Sequence, residues 1–133
     1  IKNSSKYKLL PKVISLSDNM EMITAISNDF NYKKIFSLQL ENYGNKGDLL
    51  VTMSCSGNSK NIIEVIKYAK KNMITTISLT GFASSKIRNL SDINFDIGLK
   101  NYGISEDIFQ SLMHMISQNI RYKYSFNRDK QVY

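Results

Sequence analysis

Apolar and polar positions change their spacing several times along the chain, and each change marks an element. Val13-Ile14-Ser15-Leu16 follows Pro11 and ends at Ser17-Asp18, the pattern of a short buried strand with a polar end. Met20 to Ile26 suits a turn or two of helix, closed by Ser27-Asn28-Asp29. Tyr32, Ile35, Phe36, Leu38, Leu40 and Tyr43 follow a mostly helical repeat, with Gly44 as its stop. Leu49-Leu50-Val51-Thr52-Met53 is an apolar run without alternation, as expected of a parallel strand covered on both faces. After Ser59 the period changes to helical: Ile62, Ile63, Val65, Ile66 and Ala69 form a stripe that Asn72 closes. Ile74 to Leu79, with β-branched Thr75, Thr76 and Ile77, is the next strand. A short helix near Ser84–Leu90 leads to Ile93–Ile97, which alternates like a strand with one exposed face, and a last helix runs from about Ile104 to Tyr124.

Strand and helix therefore alternate with short connections, which predicts an α/β fold: a doubly wound parallel sheet with helices on both faces. Ligands of such sheets sit at the carboxyl ends of the strands. The polar groups that follow strands are Ser17-Asp18, Ser54–Ser59, Thr80-Gly81 and the segment 100–105, and all four are expected at one edge.

The 133 residues suffice for one domain, with a core over about 8–124 and a polar tail at 125–133. No stretch is long and apolar enough for a membrane span, and no signal peptide is visible at the start. The chain begins at Ile1 rather than Met, which points to residues lost upstream. A single cysteine, Cys55, excludes an internal disulfide and fits a reducing compartment, so the expected location is cytoplasmic. The lone His114 excludes a His-rich metal site within one copy of the chain. The charge of +7, from 18 basic and 11 acidic residues, is scattered rather than gathered into an arm or stripe. Its densest group, Lys67, Lys70 and Lys71, lies on one helix surface, which reads first as a solvated helix face and next as attraction of an anionic small substrate; neither nucleic acid nor membrane is an expected partner.

The chemistry concentrates at Ser54-Cys55-Ser56-Gly57-Asn58-Ser59, where a strand ends and a helix begins. The first helical N–H groups lack partners there, and the helix dipole turns its positive end to the loop. Gly57 permits the tight turn that aims N–H groups inward, while Ser54, Ser56 and Ser59 add hydroxyls. The plainer reading makes Ser59 an N-cap and Gly57 a turn residue. No Gly-Lys-Ser/Thr ending or GxGxxG fingerprint is present, which argues against a nucleotide loop.

Gly47-Asp48-Leu49-Leu50-Val51 followed by Ser54–Ser59 resembles the central signature of sugar isomerase (SIS) domains, and the match continues through Ile77–Gly81 and Leu90–Ile93. Ser27-Asn28-Asp29-Phe30 with Ile35-Phe36-Ser37, and Glu106-Asp107-Ile108 with Leu112–Ile116, narrow the resemblance to the phosphoheptose isomerase branch. The resemblance implies a single flavodoxin-like SIS domain over 1–133 that lacks the family's N-terminal helix and first strand. It implies aldose–ketose exchange through an enediol(ate), converting sedoheptulose 7-phosphate to D-glycero-D-manno-heptose 7-phosphate for lipopolysaccharide or capsule. It further implies a homotetramer with active sites between subunits. By position Ser54, Cys55, Ser56 and Ser59 hold the phosphate, Asn28 and Asp29 meet the sugar, and His114 moves protons with Glu106 as a second candidate. No cofactor is required by the resemblance; zinc is an optional one, with His114 and Glu106 as its candidate ligands.

The sequence departs from the family in three places. Cys55 stands where relatives usually carry Thr, and Glu106 where they usually carry Gln. The Glu106 change either alters the substrate, supplies a second carboxylate or helps hold a metal. The family's Gly-Gly-Ser loop and the helix bearing its catalytic Glu precede the matched region, so the chain alone is expected to be inactive. On the last helix Ile104, Ile108, Leu112, Met115, Ile116 and Ile120 share one arc, while Glu106, Gln110 and His114 form a ladder on the other side. Periodicity alone makes that ladder a solvent face; the resemblance sets it against a cleft or a neighbouring subunit. The rival readings are a non-catalytic sugar-phosphate-binding or protein-interaction module and an isomerase or epimerase of other sugar specificity. No helix-turn-helix is visible to support a DNA-binding regulator.

Overall fold

Parallel pairing of three short strands sets the architecture of the computed structural model, which describes residues 12–124. The expected tail at 125–133 and residues 1–11 lie outside the described residues. Helices α1 (Met20–Asp29) and α2 (Ser37–Tyr43), joined by a 3-10 turn at Tyr32–Lys34, precede β1 (Leu49–Ser54). Then follow α3 (Lys60–Lys71), β2 (Thr75–Thr80), a 3-10 turn at Ile87–Asn89, β3 (Ile93–Asp96) and α4 (Tyr102–Tyr124). The sheet order is β1-β2-β3, all parallel, with Ser54 beside Thr80 and Thr80 beside Asp96. The carboxyl ends of the three strands thus share one edge, as the alternation of elements predicts.

The core forms where the stripe of α3 meets the sheet: Val65, Ile66 and Ala69 pack with Leu40, Leu50, Ile74 and Ile87. Beneath α3 the strands also bury hydroxyls, and these satisfy one another rather than water. Thr52 Oγ1 and Ser78 Oγ are 2.7 Å apart, and Ser78 is hydrogen-bonded in turn to Ser91 Oγ. Asp92 accepts from both Thr76 N (2.9 Å) and Thr76 Oγ1 (2.8 Å), fixing the entry of β3 against β2.

Three expectations fail. Residues 13–16 form no strand: no described strand lies alongside to complete a ladder, and Val13 is 85% exposed. Only Leu16 of that segment reaches the core, where buried Gln39 donates through Nε2 to the Leu16 carbonyl at 3.0 Å. Ser17 and Asp18 consequently follow no strand, and lie in a turn in which Ser15 Oγ donates to Asp18 at 2.8 Å. The second expectation to fail is that β1 is covered on both faces. Its residues alternate in burial, and Leu49, Val51 and Met53 lie exposed on the same sheet face as Ile93 and Phe95 of β3, with β2 between them, because α2 and α3 pack on the opposite face. The third is the helix over residues 32–43, which is interrupted: a 3-10 turn ends at Lys34 before α2 begins at Ser37.

Candidate functional site

Three of the four expected polar segments converge at the carboxyl edge, and backbone hydrogen bonds hold them there. The Cys55 carbonyl accepts from Gly81 N (3.0 Å) and Phe82 N (2.8 Å), and the Gly81 carbonyl accepts from Leu99 N (2.9 Å). The turn of the serine loop is set by Gly57, whose φ of +60° favours glycine. Gly57 N donates to the Ser54 carbonyl at 3.0 Å and lies 3.1 Å from Ser54 Oγ. Asn58 N donates to Ser56 Oγ at 3.3 Å, and the Asn58 amide donates to the Ser56 carbonyl at 2.8 Å. The outer side of the turn is braced by the next connection, where Ile87 N donates to the Gly57 carbonyl at 3.1 Å.

Ser59 bears on both readings of the loop. It occupies the N-cap position of α3 with extended backbone, yet its side chain makes no cap hydrogen bond. The hydroxyl stands 3.4 Å from Ser54 Oγ instead, so two hydroxyls meet across the mouth of the loop. Asn61 Oδ1 takes Ile62 N at 2.9 Å, while no described group accepts from the backbone N–H of Lys60. An open N–H at the positive end of a 12-residue helix beside paired hydroxyls is suited to an oxyanion.

On one flank of the loop, Tyr32 and Lys33 face Ser59, Lys60 and Asn61 across a cavity of about 410 Å³. Ion pairs hold the two walls together: Lys33 and Lys34 lie 3.3 Å and 3.1 Å from the Glu64 carboxylate of α3. Hydrogen bonding from Lys34, then from Lys33, holds the Glu64 carboxyl below its ordinary range despite partial burial. A carboxyl with a lowered folded pKa contributes stability above its unfolded pKa and loses it as pH falls through the folded value. Glu64→Gln is therefore expected to cost about 1 kcal/mol or less near pH 7. Denaturant melts of both proteins should converge as pH falls through the lowered folded value, which lies under the ordinary 4.5.

On the other flank stands α4. Ser105 is fully buried against Gly81, and Tyr102 meets Phe82 edge-on with ring centroids 5.0 Å apart. This packing sets Glu106 Oε1 4.0 Å from Cys55 Sγ, which also lies 3.9 Å from the Tyr102 carbonyl. Burial first, and the Glu106 charge second, push the Cys55 thiol above its ordinary value, so it stays protonated near neutral pH.

The remaining expected residues lie farther out. Asn28 and Asp29 end α1, hydrogen-bonded to each other at 2.9 Å, just before the Tyr32–Lys34 turn that borders the cavity. His114 is exposed on α4, eight residues and about 12 Å of helix rise beyond Glu106, with no hydrogen bond among the described residues. The buried side of α4 is Ser105 and Phe109, whereas Ile104, Met115, Ile116 and Ile120 of the apolar arc remain exposed. Among the described residues no three His, Cys, Asp or Glu side chains converge as a metal site. Glu106 and His114 alone supply two donors, short of the three or more protein ligands usual for zinc. Sequence reasoning missed Tyr32, Lys33, Lys60 and Asn61. The opposite charges of Lys33, Lys34 and Glu64 were the available signal, but only the fold brings them together.

Comparison with known proteins matches residues 4–81 to the SIS domain family. A probable phosphoheptose isomerase of Thermoplasma acidophilum is 37% identical over 111 residues, covering 84% of this chain and 61% of the relative. The phosphoheptose isomerase of Buchnera aphidicola is 45% identical over 95 residues, 71% of this chain and 48% of the relative. The chain thus spans about half to three fifths of the length of these curated relatives. Among solved structures, a phosphoheptose isomerase from Neisseria gonorrhoeae superposes with a TM-score of 0.78 at 31% identity, covering 80% of this chain and 61% of that one. One from Francisella tularensis superposes with a TM-score of 0.75 at 26% identity, covering 77% and 56%. With its serine loop, its parallel sheet and a family match over more than half its length, the chain belongs to the SIS domain family.

Proposed function

We propose that this chain is the phosphate-binding part of a sugar-phosphate aldose–ketose isomerase acting on sedoheptulose 7-phosphate. The observation that carries this reading is the orientation of Ser59, which leaves the cap of α3 open and turns its hydroxyl to Ser54. The phosphate rests on the loop N–H groups and the Ser54, Ser56 and Ser59 hydroxyls. The sugar extends along the edge between the Asn28-Asp29 side and α4. An enediol(ate) pathway needs a proton moved between neighbouring carbons, and a histidine suits that step near neutral pH. His114 is the assigned acid/base group, with Glu106 the nearer carboxylate to the loop. No step is assigned to a metal.

His114 is exposed on α4, about 12 Å of helix rise beyond Glu106, and the apolar face of Leu49, Val51, Met53, Ile93 and Phe95 is open. Both features support an assembled protein, a homotetramer with sites between subunits, in which His114 serves a neighbouring loop. The product would feed heptose for lipopolysaccharide or capsule in the cytoplasm. The distance of His114 from the loop also favours a second reading, a module that binds sugar phosphate without converting it.

Replacing Ser54 and Ser59 together by Ala should weaken sedoheptulose 7-phosphate binding at least about tenfold, since a hydrogen bond to a charged group contributes about 1.5–3 kcal/mol. Calorimetric titration of both proteins reads this, and equal affinities would remove the phosphate role of the loop. The 133-residue chain itself is expected to bind without turnover, and formation of aldoheptose phosphate by it would contradict that assignment.

A further inference from the structure

We propose that Glu106 selects the ligand by charge: its carboxylate keeps a second anionic group away from the α4 side of the loop and admits a neutral, hydroxyl-bearing chain there. This rests on the reading that the loop binds phosphate, and it adds a direction and a specificity to that reading.

The site is electrically lopsided. Lys33 and Lys60 border the cavity at the start of α3, and Lys60 has no ion pair among the described residues. Across the loop, Glu106 Oε1 lies 4.0 Å from the Cys55 side chain, in the middle of the phosphate cradle. The described ion pairs involve Glu64, Asp92 and Asp96, and no described Lys or Arg forms an ion pair with Glu106. Among the described residues its charge has no ion-pair partner. The Tyr102 carbonyl, 3.9 Å from the same sulfur, adds a second acceptor on that side.

Glu106 is also held in place. Ser105, one residue before it, is fully buried, and its hydroxyl donates to the Asn101 carbonyl at 2.6 Å. The contact of Ser105 with Gly81 ties this turn of α4 to the strand end that fixes the Cys55 carbonyl. The loop senses the charge, because Glu106 is one cause of the raised Cys55 thiol. A phosphate in the cradle is thus attracted toward Ser59 and Lys60 and repelled from α4. The part of the ligand beside Glu106 has to offer hydrogen-bond donors, as sugar hydroxyls do, and a carboxylate or second phosphate there meets a like charge. At these separations a unit charge acting on a dianion changes affinity by about tenfold even with water-like screening.

The test is calorimetric titration of the wild-type chain, Glu106→Gln and Glu106→Asp with three probes: fructose 6-phosphate, fructose 1,6-bisphosphate and 6-phosphogluconate. The wild type is expected to prefer the neutral-chain monophosphate. Glu106→Gln should tighten every phosphate probe, and should tighten fructose 1,6-bisphosphate and 6-phosphogluconate by a severalfold larger factor than fructose 6-phosphate, because their second anionic group is also relieved of the like charge. Glu106→Asp, which keeps the charge, should retain the wild-type preference, and 0.5 M NaCl should compress that preference in the wild type. Identical probe ratios in the wild type and Glu106→Gln would overturn the inference while leaving the phosphate loop intact. Absence of binding of every probe to every protein would overturn the phosphate reading itself.

Discussion

Gly57→Ala is expected to abolish detectable sugar-phosphate binding and to lower the melting temperature by about 5–10 °C. Two costs combine. The backbone at Gly57 has φ of +60°, where a side chain costs about 1–2 kcal/mol. A Cβ there would also lie 1.8 Å from Ser85 Oγ and 2.3 Å from Ser85 Cβ. Ser85 cannot withdraw freely, because it is buried and its hydroxyl donates to the Gly57 carbonyl at 3.3 Å. The loop would have to open, carrying Ser56 and Asn58 away from the end of α3. Each kcal/mol shifts the melting point of a domain this size by several degrees. Gly57→Ala combined with Ser85→Gly should recover the steric part of the loss but not the backbone part. Gly103→Ala is the control: its Cβ meets nothing closer than Asn101 Oδ1 at 3.8 Å within α4, so thermal melts should show no loss.

Gly81→Ala should separate α4 from the phosphate loop. A Cβ at Gly81 would lie 2.4 Å from Ser105 Oγ and 2.9 Å from the Cys55 carbonyl oxygen. One neighbour is backbone and the other belongs to a fully buried serine, so overpacking of about 1–3 kcal/mol is expected. As the first turns of α4 move out, Cys55 loses both its cover and the nearby Glu106 charge, the two causes that raise its thiol. Its pKa then returns toward 9.0, and more thiolate forms at pH 8. The rate of Cys55 modification by a disulfide reagent should rise severalfold over the wild type. An unchanged rate with unchanged stability would mean that α4 is not seated against the loop as described.

The elements nearest the loop were the most legible in the sequence. The apolar run of β1, the stripe of α3 and the β-branched start of β2 each carry a local signal, and one buried interface satisfies all of them. Where the outcome depends on a neighbour, local pattern was insufficient. Val13–Leu16 has strand composition, but a strand also needs a partner beside it, and the segment is instead held through Gln39. Similarly, the run Leu49–Met53 could not reveal that one of its faces would stay open. The hexapeptide stood out as a candidate phosphate loop, yet its sequence left capping and anion binding equally tenable; the Ser59 hydroxyl, which makes no cap hydrogen bond and lies 3.4 Å from Ser54 Oγ, supports the proposed second reading. Glu106 was singled out in the sequence by its place on the ladder with Gln110 and His114, whereas its approach to Cys55, 51 residues earlier, depends on the packing of Ser105 against Gly81.

The account depends above all on phosphate binding by the loop from Ser54 to Ser59. Its most direct test is titration of the isotopically labelled chain with sedoheptulose 7-phosphate, following backbone amide resonances. Saturable shifts should concentrate at Ser56, Ser59, Lys60 and Asn61, with inorganic phosphate moving the same amides more weakly. Shifts confined to residues distant from the loop, or none at millimolar ligand, would contradict the account.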